Sequence, residues 1–102
     1  MYGYTTPTLP IRIKDLDFSL IRFFRVKIVG KNAEYLFVIE ADSEKVDAEN
    51  RTIYVDLTQE QTAELEASVA MIQVRYKYLT GKVDATNKKN VTVEDVLDKE
   101  II

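Results

Sequence analysis

The sequence predicts an all-β chain, folded as an antiparallel sandwich of six to seven strands with one short helical turn. Three observations carry that expectation. Apolar and polar residues alternate with period two through most of the chain, the signature of half-buried strands. Turn formers interrupt the alternation at intervals of about 8–12 residues, as in sandwiches. Only the segment after Thr58 carries a helix-start signal.

Taken in order, residues 1–8 read as an irregular, extended arm, because Pro7 and Pro10 restrict the backbone and remove two donors. In "LPIRIK", Leu9, Ile11 and Ile13 alternate with Arg12 and Lys14, a short strand that tolerates proline only at its start or on an edge. "KDLDFS" supplies turn formers. In "LIRFFRVKIVG", Phe24, Val26 and Ile28 share one face and Arg25 and Lys27 the other. Ile21 and Phe23 fall out of phase with them, which predicts a β-bulge near Phe23–Phe24. "GKNAE" turns the chain into "YLFVIEA", completing a hairpin. Both faces of that second strand are apolar, so it is expected at the centre of a sheet.

"DSEKVDAEN" reads as a polar loop. "TIYVDL" follows as a strand with Ile53, Val55 and Leu57 inward and Thr52, Tyr54 and Asp56 outward. Thr58 and Gln61 have the T-x-x-Q spacing of a capping box, with Glu60 in the first turn where the helix dipole favours it. "SVAMIQVRYKYL" is the longest strand, with Ala70, Ile72, Val74, Tyr76 and Tyr78 on the core face. "TGK" is a tight turn, and the chain returns as a strand ending near Val93. Asp95 to Lys99 read either as one helical turn or as a frayed end, and residues 97–102 as a short tail of a single 1–102 domain.

The 102 residues suit one domain with one core and little room for a deep cleft. Fourteen basic and seventeen acidic residues leave a net charge of −3, without the basic field of a dedicated nucleic-acid binder. Cysteine is absent, so no disulfide, thiolate metal site or cysteine nucleophile exists. Histidine is absent as well, which removes the usual general base and the usual transition-metal ligand. The start "MYGYTTPTLP" lacks the basic lead and apolar run of a signal peptide, and no stretch approaches a membrane span. A chain that is neither membrane-bound nor exported by a signal peptide is the expectation.

Each candidate for chemistry has a plainer structural reading. Glu60 opposes anion binding at the helix start, where Thr58 already occupies the donors. Asp42, Glu44 and Asp47 only faintly resemble a calcium loop, since Asp47 stands where an EF-hand needs glycine and Ile53 where it needs glutamate. Asp15 and Asp17 suit a turn better than a cation. Ser19, Ser43 and Ser68 have no histidine to activate them. Glu94, Asp95, Asp98 and Glu100 cluster near the end of the chain, where no wall excludes water. No catalytic residue, metal ligand or cofactor site is assigned, and the chain is expected not to be an enzyme.

Tyrosine points elsewhere. Six are present, without tryptophan. Tyr76 and Tyr78 close the core. Tyr54 on an outer strand face, and Tyr2 and Tyr4 on the arm, are the candidate partner-contact residues, because exposed tyrosine brings large area at low entropic cost. Charge is also divided unevenly. Residues 1–31 carry six basic residues against Asp15 and Asp17, and the remainder carries eight basic and fifteen acidic. That division suits either the wet faces of strands or a head-to-tail contact between copies.

The segments "GYTTPTLPIRI", "NRTIYVDLTQEQT", "IQVRYKYLTGKVDATN" and "VTVEDVL", in that order, resemble small proteins encoded in tail-gene clusters of phages and prophages of Gram-positive bacteria. They also resemble the N-terminal domain of the phage baseplate upper protein. The resemblance spans roughly Tyr4 to Val96 and rests on structural motifs. It implies an immunoglobulin-like sandwich that acts as a virion component or tail accessory module, with protein partners and no catalysis. Tyr2, Tyr4 and the two lysines of "NKKN" depart from the pattern, and at "NKKN" they leave a bulge or an exposed edge open.

The expectation is therefore a non-enzymatic structural or tail- and baseplate-associated protein. Its expected partners are other phage structural proteins or copies of itself, reached through the arm or an exposed strand edge, and its oligomeric state is left open. It would reside in the virion, or in the bacterial cytoplasm when expressed from a prophage. The alternative is a module that binds a host-surface glycan or cell-wall polymer through Tyr54 and the arm tyrosines.

Overall fold

The computed structural model describes residues 1–66 and 68–102. It is all-β, with two antiparallel sheets forming a sandwich. The strands are β1 (Thr8–Arg12), β2 (Ile21–Val29), β3 (Glu34–Glu40), β4 (Val46–Asp47), β5 (Thr52–Asp56), β6 (Ser68–Tyr78), β7 (Val83–Ala85) and β8 (Lys89–Val93). A helix, α1 (Gln59–Leu65), joins β5 to β6, and a 3-10 turn (Phe18–Leu20) precedes β2. One sheet has the order β1-β5-β4; the other has the order β3-β2-β6, with β7 and β8 both paired to β6. That is the immunoglobulin order B-E-D against C′-C-F-G, without an A strand. Counting β7 and β8 as one interrupted strand gives seven.

The alternation works as the period-two reading requires. Phe24, Val26 and Ile28 from β2 and Ala70, Ile72 and Val74 from β6 are buried, together with Ile53, Val55 and Leu57 from and just after β5. Phe18 packs on Phe24 with ring centroids 4.8 Å apart. Leu65 from α1 and Val93 from β8 join the same core. Each buried Val, Leu, Ile or Phe side chain contributes about 1.5–3 kcal/mol. The register shift in β2 lies between Ile21 and Phe23, which lets both Ile21 and Phe24 face inward. Thr58 caps α1 with the reciprocal bonds of a capping box. Gly81 turns the chain after β6 at a φ of 95°, open to glycine without a Cβ penalty.

Several expectations need correction. The apolar strand "YLFVIEA" is β3, and it lies at the edge of its sheet rather than at the centre. Its inner face (Tyr35, Phe37, Ile39) packs on the core, and its outer face stays in solvent. Thr52, expected outward, is buried, and its hydroxyl donates to the Asn50 carbonyl at 2.9 Å. The loop "DSEKVDAEN" contains the two-residue strand β4. Of the alternatives left open near "NKKN", the last strand takes the bulge. Its register against β6 changes by one residue between Ala85–Arg75 and Lys89–Ile72, so the chain bulges at 86–88. The Thr86 amide donates to the Val74 carbonyl, and the Thr86 hydroxyl accepts from the Val74 amide at 3.1 Å. A threonine side chain thus completes the ladder across the bulge. Residues 95–99 form no helix.

The N-terminal arm is held by its own chain. Tyr2 makes a parallel bridge with Glu94, just past β8. The Gly3 amide donates to the Glu94 carbonyl at 2.9 Å, and the Glu94 amide donates to the Met1 carbonyl at 2.7 Å. A Cβ on Gly3 would stand 2.6 Å from Glu66 Oε2, so this close approach needs glycine.

Candidate interaction surface

Strand edges are where a sandwich meets another chain, because they carry unpaired backbone donors and acceptors. The sheet registers show which groups each edge presents. In the β1–β5 pair, Leu57 donates to Pro7 and Ile13 donates to Arg51, so the odd residues of β1 bond inward. Thr8, Pro10 and Arg12 then face the open edge. Pro10 has no amide hydrogen to offer there, and this edge is blunted at its middle. At the other side of that sheet, β4 is only two residues long. The β7–β8 edge is broken by its bulge and carries Lys82, Asp84, Lys88 and Lys89 in and around its strands.

The β3 edge has none of these protections. In the β2–β3 hairpin, the Gly30 amide donates to Ala33 and the Ala41 amide donates to Arg22. Odd residues of β3 therefore bond to β2, and Glu34, Leu36, Val38 and Glu40 aim their backbone groups outward. No proline, bulge or charge interrupts Tyr35 to Ile39. The outward side chains are apolar too: Leu36 is 43% exposed and Val38 59% exposed. Both stand beside basic residues of the same outer face, since Leu36 is opposite Lys27 and Val38 opposite Arg25, which is itself opposite Arg75 on β6. Exposed Val69 and Met71 of β6 belong to the same strand face as Arg75. Glu34 forms a 3.5 Å ion pair with Lys27.

A second feature is a groove of about 570 Å³ between the β1 edge and the β7–β8 edge. Ile72, Val74, Tyr76 and Tyr78 of β6 form part of its lining, with Leu9 to Leu16 on one side and Asn87, Lys89 and Val91 on the other. Tyr76 and Tyr78 meet edge to face at 5.7 Å. Burial raises the Tyr76 pKa, with Asp84 adding to the effect.

The three candidate contact tyrosines do not share one platform. Tyr54 is exposed on the outer face of the β1-β5-β4 sheet, opposite Pro10. Tyr2 is exposed at the end of β8 in the other sheet, where it lines a shallow depression with Val69 and Thr92. Tyr4 is half-buried with a φ of 56°, in the left-handed region that favours glycine.

Two of the acidic residues considered for cation binding, Asp17 and Asp47, serve local structure. Asp17 accepts from the Ser19 hydroxyl at 2.7 Å and from its amide at 3.0 Å, and these bonds lower its pKa. Asp47 accepts in the same way from Asn50, and its pKa is lowered for that reason. Asp56 accepts from Lys45 Nζ and from the Thr8 hydroxyl, which hold its carboxyl below the ordinary range. This exposed trio ties the central strand β5 to both flanks of its sheet. Among the described residues, no group of three or more acidic side chains is placed to hold a metal ion, and no helix is long and apolar enough to cross a membrane.

No family model, curated protein or solved structure matches the chain.

Outward apolar residues on β3 are visible in "YLFVIEA", but their two-faced pattern suggests a central strand. Only the pairing of β2 with β6 shows which neighbour is missing.

Proposed function

We propose that this chain is a non-enzymatic assembly module, associated with the tail or baseplate of a phage or prophage, that works by docking onto other proteins. The observation that supports this reading most is the open β3 edge. A seven-residue strand with free backbone groups and apolar outward side chains is a liability in a protein that works alone. The same edge is an asset in a protein that must join others, because strand addition supplies backbone hydrogen bonds and side-chain selectivity together. The resemblance across Tyr4 to Val96 supplies the biological setting. The remaining features agree with an assembly role: a mixed basic and apolar outer face at Arg25, Lys27 and Arg75, and a grooved opposite side.

The test is genetic and biochemical. Particles purified from the producing strain are expected to contain this protein, and its deletion is expected to give defective tails or baseplates. Particles that lack it, and a deletion with normal morphology, overturn the reading. Glycan or cell-wall binding lost on Tyr54→Ala would favour the recognition-module alternative, whose exposed sheet-face tyrosine is Tyr54.

A further inference from the structure

We infer that the β3 edge pairs with β3 of a second copy, antiparallel and related by a two-fold axis through Leu36. The inference rests on the assembly reading above and names its surface and first partner. The backbone selects the candidate registers. Only Glu34, Leu36, Val38 and Glu40 of β3 present outward amides and carbonyls, so a hydrogen-bonded pairing must set even residues against even residues.

Charge and apolar matching then select among them: an axis on Tyr35 also opposes no like charges, but it sets Leu36 against Glu34 and Val38 against Asn32, with no apolar pair directly across the seam. Centring the axis on Phe37 would put Glu34 of each copy opposite Glu40 of the other, a like-charge pair made twice. Centring it on Val38 would put Leu36 opposite Glu40 and bring Glu34 opposite Asp42. Centring it on Leu36 pairs Leu36 with Leu36, Glu34 with Val38 and Asn32 with Glu40, with no like charges opposed. Each Glu34 stays neutralised by its own Lys27. The two outward Leu36 side chains then meet across the seam, each Val38 lies diagonal to Leu36 of the other copy, and the two five-stranded sheets become one.

The same geometry explains why the pairing stops at two copies. An isologous contact uses the same edge on both partners, so the axis consumes both open edges. The remaining edges are closed by Pro10, by the shortness of β4 and by the bulge at 86–88. A second copy therefore fits better than an indefinite stack.

The test is sedimentation equilibrium of the full chain, with circular dichroism to verify folding. The wild type is expected to be a concentration-dependent dimer. Leu36→Pro removes an outward amide that β2 does not use, and is expected to give a folded monomer. Should that variant fail to fold, Leu36→Lys carries the test, since the two-fold axis sets the two lysines directly opposite each other without touching the backbone. The absence of native cysteine allows the register to be read directly. Leu36→Cys is expected to form a cross-linked dimer on mild oxidation, because hydrogen-bonded antiparallel partners lie about 5.5 Å apart at Cα, within disulfide reach. Val38→Cys is expected not to.

A wild type that is monomeric at all concentrations overturns the inference. So does a dimer unaffected by Leu36→Lys, or cross-linking through Val38→Cys instead of Leu36→Cys. A monomer that is nonetheless found in purified particles overturns this pairing and leaves the assembly role standing. A Leu36-linked dimer absent from particles supports the pairing and removes that role.

Discussion

Thr62 on α1 and Thr5 on the N-terminal arm hold each other through a single buried hydroxyl. Thr62 Oγ1 accepts from the Thr5 amide at 3.0 Å and donates to the Thr5 carbonyl at 2.8 Å. This pair, with the Tyr2–Glu94 bridge, turns a proline-rich leader into part of the sandwich. Thr62→Val keeps the shape and removes both bonds. It is expected to cost about 1–3 kcal/mol, because the Thr5 backbone groups lose their partner in a part-buried site. Denaturant melts check the size, and faster amide exchange at Thr5 checks the location.

The corner between β5 and β6 depends on Thr58. Its hydroxyl accepts from the Gln61 amide at 3.2 Å, and the Gln61 side chain accepts from the Thr58 amide at 2.9 Å. Thr58→Ala is expected to destabilise the fold by about 0.5–2 kcal/mol. The β3 edge lies elsewhere, so dimerisation of the folded variant is expected to be unchanged, as sedimentation would show.

Much of this fold is legible in the residues. Alternation locates the strands, and the T-x-x-Q spacing locates α1, because both are local properties of the backbone. The out-of-phase Ile21 announces a register shift, which the structure places at Arg22. What is not legible is non-local. A strand apolar on both faces looks central whether its second face meets a sheet neighbour, another layer or another molecule. Nothing in "YLFVIEA" distinguishes those cases until the partners of β2 are known. The arm reads as irregular for a similar reason: its anchors, Thr62 and Glu94, lie far along the chain.

Acid should weaken the sheet β1-β5-β4 and the turns beside it. Asp17, Asp47 and Asp56 all have folded pKa values below their ordinary 3.8. A depressed carboxylate contributes stability above its unfolded pKa and loses it as pH falls through the folded one. Stability is therefore expected to hold above about pH 5 and to decline below about pH 4. Asp56→Asn removes the Lys45 partner charge and is expected to flatten that decline. Chemical denaturation at a series of pH values measures both slopes.

Tyr35 supplies an opposite marker at high pH. Burial, then its hydrogen bond to Glu64 of α1, pushes its pKa up to about 12. A raised value means that its contribution is complete below the ordinary value of 10 and is lost as pH rises through about 12. Phenolate absorbance is expected to show a late tyrosine step there, and Tyr35→Phe is expected to remove it.

The assembly reading stands on the open β3 edge, and residue-resolved amide exchange at low and high chain concentration tests that edge most directly. The Tyr35 and Phe37 amides, which face β2, are predicted to be protected at both concentrations. The Leu36 and Val38 amides, which face outward, are predicted to exchange freely when dilute and to become protected when concentrated. Leu36 and Val38 amides that remain exchangeable at high concentration, or protection that arises at Arg12 or along β8 instead, would contradict the pairing of copies through this edge.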